Sequence, residues 1–333
     1  MGILCSLTSG CRTVGYYGQA LSGQVEIWRK QVPLDSAVGS GDGGAELRRK
    51  LDLIKELTAF AESQLGLPAN GDYTRYADLG RKHAVWVVFA APALSLEPRT
   101  FWYPIVGSLQ YRGFFKEADA ERFADDLRAE GLDVYVGGVD AYSTLGWFSD
   151  PVLNTFMHYD DIDLAELIFH ELTHQRVFVP GQTAFNEAMA TAVAEESTRR
   201  WLASLGDEEG IAEYAERLSR QTGVFQEIES VRSALGQLYA SPLSDAEKLE
   251  KKAFLVSALQ DRLRPLSKSW GEVTRDAWLE NRPTNALLNA TAAYYGLVPC
   301  FSRLLDESGG DLERFFQAVT ELDPAATAAR ECE

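Results

Sequence analysis

Residues Leu167 to Glu196 read LIFHELTHQRVFVPGQTAFNEAMATAVAEE. Within this stretch, His170-Glu171-Leu172-Thr173-His174 sets two imidazoles four residues apart. In a helix that spacing puts both rings on one face, a turn apart, where they reach one cation. Glu171 falls beside them and is placed to take a proton from a water activated on zinc. The flanking residues predict the helix. Asp163 with Glu166 three residues later reads as a capping box opening it, and Leu164, Ile168 and Leu172 form an apolar stripe beside the histidine face.

Two imidazoles leave a zinc ion short of ligands. Val177 and Pro180 stand where the extended metzincin pattern requires Gly and His, so that variant is excluded. Pro180-Gly181 signals a turn, and Thr183 to Trp201 reads as a second helix. The turn centre lies six residues beyond His174, and Glu187 lies seven beyond Pro180. At a rise of about 1.5 Å per residue, an antiparallel return brings Glu187 level with His174. Glu187 is the expected third ligand, with Glu195 and Glu196, further along the helix, as alternatives.

The 333-residue chain is long enough to bury a core and to form two lobes. Its net charge of −17 argues against nucleic acid, whose phosphates need clustered Lys and Arg, and favours cationic over anionic ligands at long range. No run is long and apolar enough to span a bilayer. Residues 17–67 read as helical, with a partial apolar face at Ala20, Val25 and Trp28 and a clearer one at Leu51, Ile54, Leu57, Phe60 and Leu65. Strands are expected at 83–89, 101–106 and 132–136, with a helix over Glu117 to Glu130. Helical periodicity then covers 202–237, 245–266, 285–297 and 312–322. His83 and His158 are read as structural histidines.

The run HELTHQ, then FNEAMATAVAEE and Arg200-Trp201, resembles a bacterial family of zinc aminopeptidases, many of them lipoproteins. Gly10-Cys11, Val14 to Ala20, Gly23-Gln24, Tyr111 to Phe115, Tyr142 to Phe148 and Tyr294 through Val298-Pro299 are similar to that family too, so the likeness covers nearly the whole chain. The resemblance implies an α+β fold: a zincin-like metallopeptidase core of a small sheet and an active-site helix, with a largely helical C-terminal half. In zincins an edge strand beside the active helix binds extended peptide by main-chain hydrogen bonds. Tyr142, Ser143, Thr144, Leu145 and Gly146, strand-like and just ahead of that helix, are the substrate-strand candidate, with a plain core strand as the alternative. Tyr294 matches the family's tyrosine before Val298-Pro299, and is favoured over Tyr295 to stabilise charge on the carbonyl oxygen; its alternative is aromatic packing.

Ser9-Gly10-Cys11 looks like a lipoprotein processing site, and the resemblance supports Cys11 as the lipidated mature N-terminus. Residues 1–11 lack a basic n-region and a full apolar run, so this reading expects translation to begin upstream of Met1. Gly2 and Ser6 also satisfy an N-myristoylation pattern with Cys5 beside it, and an untargeted N-terminus is the further alternative. Cys300 and Cys332 are candidates for a disulfide in an oxidising periplasm.

The resulting expectation is one peptidase unit over 12–333, with an α+β part at 12–160 and a helical part at 161–333 carrying the metal site. One Zn²⁺ per chain is held by His170, His174 and Glu187, and Glu171 serves as general base. Peptide or protein is the substrate, and the membrane is met through the N-terminal lipid on the periplasmic side of the envelope. An envelope endopeptidase and a tethered metal-containing binding protein are the rival readings. Thr191 stands where thermolysin-like enzymes carry an acidic residue, so support for His170 is expected elsewhere.

Overall fold

A computed structural model describes residues 4–37, 42–104, 107–141, 148–269, 276–280 and 282–324. The chain opens with α1 (Leu4–Lys30), β1 (Gln31–Pro33) and α2 (Asp42–Phe60). Then follow β2 (Arg75–Ala77), β3 (Val85–Pro92), β4 (Phe101–Tyr103), β5 (Gly107–Leu109), β6 (Tyr111–Phe114), α3 (Glu117–Ala129), β7 (Leu132–Val139) and β8 (Val152–Leu153). From there the described elements are helical: α4 (Asp161–Arg176), α5 (Thr183–Leu205), α6 (Glu208–Ala240), α7 (Asp245–Leu263), α8 (Asn285–Tyr295), α9 (Val298–Glu307) and α10 (Leu312–Glu321). The fold is α+β, with small sheets ahead of a helical C-terminal half.

The sheet that matters for the site is antiparallel, in the order β6-β3-β7, with Val87 paired to Gly113 on one side and Gly137 on the other. The β3 sequence VWVVFAAP is rich in the β-branched and aromatic side chains that suit a pleated, buried surface. Alternation splits its two faces. Trp86, Val88 and Ala90, with Phe114 of β6, pack on Ala120, Ala124 and Leu127 of α3. Val85, Val87 and Phe89 face the other way, and Phe89 packs on Ala286 and Ala290 of α8. A smaller sheet, β1-β2-β8, pairs β2 antiparallel with β1 and parallel with β8.

The main core gathers Leu51, Ile54 and Leu57 of α2, Leu164, Ile168 and Leu172 of α4, Phe185, Met189 and Val193 of α5, and Phe301 and Phe315 of the last helices. A second core joins Ile228 and Leu235 of α6, Leu259 and Leu263 of α7, and Leu287 and Leu288 of α8.

Several boundaries differ from the sequence expectation, for physical reasons. The buried face of α1 carries Gly23 and Ile27, whereas Trp28 is 39% exposed. The absence of a side chain at Gly23 lets the Phe115 ring lie against the helix, because a Cβ there would fall 2.0 Å from that ring. The expected break at Trp201 is absent: α5 runs on to Leu205 and stops where Gly206 takes the left-handed conformation, φ 68°, that caps a helix. β6 was hidden because Arg112 and Gly113 interrupt any apolar alternation. α9 was hidden behind Pro299, which the first turn of a helix accepts because its missing N–H has no partner to lose there.

Asn285 fixes the helical half to the sheet. It is wholly buried, and its Nδ2 donates to the carbonyls of Pro92, Ala93 and Ser95 at 2.9, 3.1 and 3.0 Å. Its Oδ1 accepts from the Tyr239 hydroxyl at 2.9 Å, and its N–H donates to Asp133 Oδ2 at 2.9 Å. Asn285→Ala strands buried carbonyls and is expected to lower stability by about 3 kcal/mol, read as a lower urea midpoint at unchanged slope.

Candidate metal centre and cleft

The helix that bears both histidines starts three residues earlier than its sequence suggests. Asp160 is the N-cap, accepting from the Asp163 N–H at 2.7 Å. The expected box of Asp163 and Glu166 is therefore overturned. Both carboxylates turn to α6: Asp163 pairs with Arg217, and Glu166 Oε2 accepts from the Tyr214 hydroxyl at 3.1 Å and from Arg217 Nη2 at 3.2 Å. A cation close by outcompetes a local backbone contact for a charged group. Leu164, Ile168 and Leu172 are each fully buried, so the apolar stripe seats α4 and leaves the histidine face for the site.

The return to α5 is held by a residue whose role the sequence did not signal. Asn186, 1% exposed, accepts from the Val179 N–H at 2.9 Å and donates back to the Val179 carbonyl at 2.8 Å. Gly181 takes φ 78° between them, as the turn requires. These contacts set the register of the next residue, Glu187.

His170 Nε2, His174 Nε2 and Glu187 Oε2 converge. The two ring nitrogens lie 3.3 Å apart, and the carboxylate oxygen is 3.3 Å from His170 and 3.7 Å from His174. Together they form a group that could hold a metal ion. The donor set and spacing fit zinc: ligand bonds of about 2.0–2.1 Å in a tetrahedron separate the ligand atoms by about 3.3–3.4 Å. Two imidazole lone pairs and a carboxylate aimed at one point call for a positive charge between them. The third-ligand alternatives stay outside this group. Glu196 pairs with Arg199 and Arg200, and Glu195 lies beside Glu166 outside the converging group.

Burial disfavours the charge on Glu187, yet hydrogen bonds and charge from His170 and His174 overcome it and hold its carboxyl well below the usual range. Burial likewise opposes the charge on His174, but Glu187 and then Glu171 raise its pKa. Glu171 is pushed up by burial, with the imidazoles opposing. Burial also raises Glu195 to about 7, helped by the negative Glu166. Thr191 donates to the carbonyl of Glu187 at 2.9 Å and so gives His170 no support. The Nδ1 atom of His174 is buried without a hydrogen-bond partner.

The triad opens on a cavity of about 900 Å³ walled by β3, β6 and the end of β7 as well as by α4, α5 and α8. Glu171 and Tyr294 line it. The Tyr294 ring stacks 6.3 Å from that of His170 at 22°, and its hydroxyl is held protonated by the negative Glu187 and by burial. Tyr295 is committed elsewhere, accepting from Gln221 at 2.6 Å. Asp140, Asp163, Glu166, Glu171 and Glu187 all reach the cavity wall, and no described lysine or arginine does. His83 Nδ1 meets Asp140 Oδ1 at 2.5 Å, as suits a structural histidine. His158 is 62% exposed, with Nε2 4.0 Å from Asp140 Oδ2, and is not part of the converging group.

Tyr142, Ser143, Thr144, Leu145 and Gly146 lie outside the described residues, and so does Cys332. Cys11 falls within the backbone of α1. Cys300 is disulfide-bonded. The wall formed by Val87, Phe89 and Tyr111 was not foreseen, because an apolar strand reads the same whether it lines a cavity or a core.

The sequence matches the model of a family described as "Putative aminopeptidase" over residues 15–333. No curated protein and no solved structure matches it. Glu187→Ala is expected to weaken Zn²⁺ binding by about a hundredfold or more, measured by competition with a chromophoric chelator. Unchanged affinity would move the third ligand elsewhere.

Proposed function

The chain belongs to the putative aminopeptidase family, and from that premise we propose that it is a zinc-dependent aminopeptidase of the bacterial cell envelope. The observation that carries this reading is the cleft itself: His170, His174, Glu187 and Glu171 share one cavity to which carboxylates, but no described lysine or arginine, contribute. Such a cavity attracts a cation, and the free ammonium of a peptide N-terminus is the cation an aminopeptidase must accept. A blocked or internal peptide brings no such charge.

His170, His174 and Glu187 would hold the metal. Zinc bound there supplies Lewis-acid polarisation of the scissile carbonyl and acidifies water. Glu171 takes the proton of the attacking water and delivers it to the departing amine; its burial, which raises its proton affinity, suits both halves of that task. Tyr294 remains a neutral phenol at physiological pH and donates a hydrogen bond to the carbonyl oxygen as that atom gains charge.

Glu171→Gln keeps the size of the side chain and removes its basicity. Zinc content and melting temperature are expected to stay at wild-type values, while kcat on a free peptide falls by about 10²- to 10⁴-fold. N-acetylation of the same peptide is expected to abolish cleavage by the wild type. Equal turnover by the variant would remove Glu171 from the chemistry, and efficient cleavage of acetylated peptide would favour an endopeptidase.

The envelope location rests on Ser9-Gly10-Cys11 and gains support from the bonded Cys300, since disulfides persist in oxidising compartments. Mass spectrometry of the mature protein from its native host is expected to find a diacylglyceryl group on Cys11. An intact Met1 on a soluble chain would remove the anchor.

A further inference from the structure

Gly113 stands on the cavity wall in the middle of β6, and nothing in the backbone asks for glycine there. Its φ is not in the left-handed region, which nine other described glycines occupy. Glycine inside a strand weakens it, and commonly marks a place where something else comes close. Among the described residues nothing does, because a Cβ built on Gly113 meets none of their atoms within 4 Å. Gly138 of β7 lines the same cavity and has a clear structural reason, since a Cβ there would fall 2.3 Å from the His83 ring. Gly113 has no such neighbour. Its missing side chain leaves space that no described residue fills.

That space has a defined wall. Tyr111, Gly113 and Phe115 alternate onto the cavity face, while Phe114 packs on the opposite face against α3. Across the sheet Gly113 pairs with Val87, another cavity residue. The hollow is bordered by two aromatic residues and a branched aliphatic one, an apolar surround in a cavity whose helical side carries the triad and every named carboxylate but Asp140. Its backbone is pinned from outside: Gln19 of α1 donates to the Gly113 carbonyl at 3.4 Å and accepts from the Phe115 N–H at 3.0 Å. The hollow is therefore formed before any ligand arrives.

We propose that Gly113 determines side-chain specificity: the hollow over it receives a large apolar side chain, that of leucine or phenylalanine, from the N-terminal residue of the substrate. This assignment rests on the aminopeptidase reading for the identity of the ligand, and on the empty wall at Gly113 for its shape. A small side chain leaves the hollow unfilled and forgoes the burial; a charged one loses its hydration among Val87, Tyr111 and Phe115.

The test uses the full-length zinc-loaded protein and the hydroxamates of alanine, leucine and phenylalanine, with binding measured by calorimetry alongside hydrolysis of the matching aminoacyl peptides. Wild type is expected to bind the leucine and phenylalanine compounds about tenfold or more tightly than the alanine compound. Gly113→Leu fills the hollow and is expected to erase that preference, with zinc content unchanged. Gly113→Ala, whose Cβ meets open space, guards against misfolding and is expected to give an intermediate preference. Equal affinity of wild type for all three hydroxamates would overturn the proposal. So would a preference that persists in both variants. Should wild type show the binding preference yet hydrolyse no peptide, the hollow stands and the peptidase reading falls.

Discussion

The site depends on how closely α5 can lie against α4. A glutamate side chain is short, and Glu187 must bring its carboxylate between two imidazoles on the neighbouring helix. The α5 sequence meets that need with small residues. Ala190 and Ala194, three and seven residues on from Glu187, share its face of the helix and are fully buried, and Ala188 and Ala192 are buried as well. Larger side chains in those places would hold the helix axes apart by more than the reach of the carboxylate. The Leu164, Ile168 and Leu172 stripe seats α4 in the core, and the Asn186 clasp on Val179 fixes where α5 begins. The helix axes, the turn and the core thus place one oxygen atom.

The remaining walls come from distant parts of the sequence. The triad uses residues 170 to 187, but its cavity needs β3, β6 and α8. Asn285 and the Lys252–Asp133 pair tie the late helices to the sheet. Lys252 is 6% exposed and also donates to the Ala93 carbonyl at 2.8 Å, so the ion pair is partly buried and hydrogen-bonded on both sides. Breaking such a pair costs more than the pair contributes, because one charge is left behind in a poor solvent. Tyr294 owes its position over His170 to these contacts.

What could be read from the sequence follows a simple division. Spacing along one helix is local, so the convergence of His170 and His174 was legible, and one rise-per-residue estimate sufficed to bring Glu187 back to them. The cap was misread because Asp160 and Asp163 are chemically alike, and the choice between them was made by Arg217, more than fifty residues away. Glu195 and Glu196 differ: Glu196 pairs along its own helix with Arg199 and Arg200, and Glu195 lies outside the converging group. Tyr294 and Tyr295 are adjacent on α8 and point to different partners, His170 and Gln221, a distinction of helical phase. The sheet wall was illegible for a further reason: apolar alternation shows that a strand has a dry face without showing whether that face meets side chains or space.

The Gln19 clasp on β6 bears on how a peptide is gripped. An open sheet edge would let substrate join the strand and gain affinity with every added residue. At Gly113 and Phe115 that edge is already taken by a side-chain amide of α1. Main-chain pairing along β6 is therefore closed to a ligand at Gly113 and Phe115. Whatever affinity a peptide gains at this edge comes from its side chains, because the hydrogen bonds that an added strand would make there are already made within the protein.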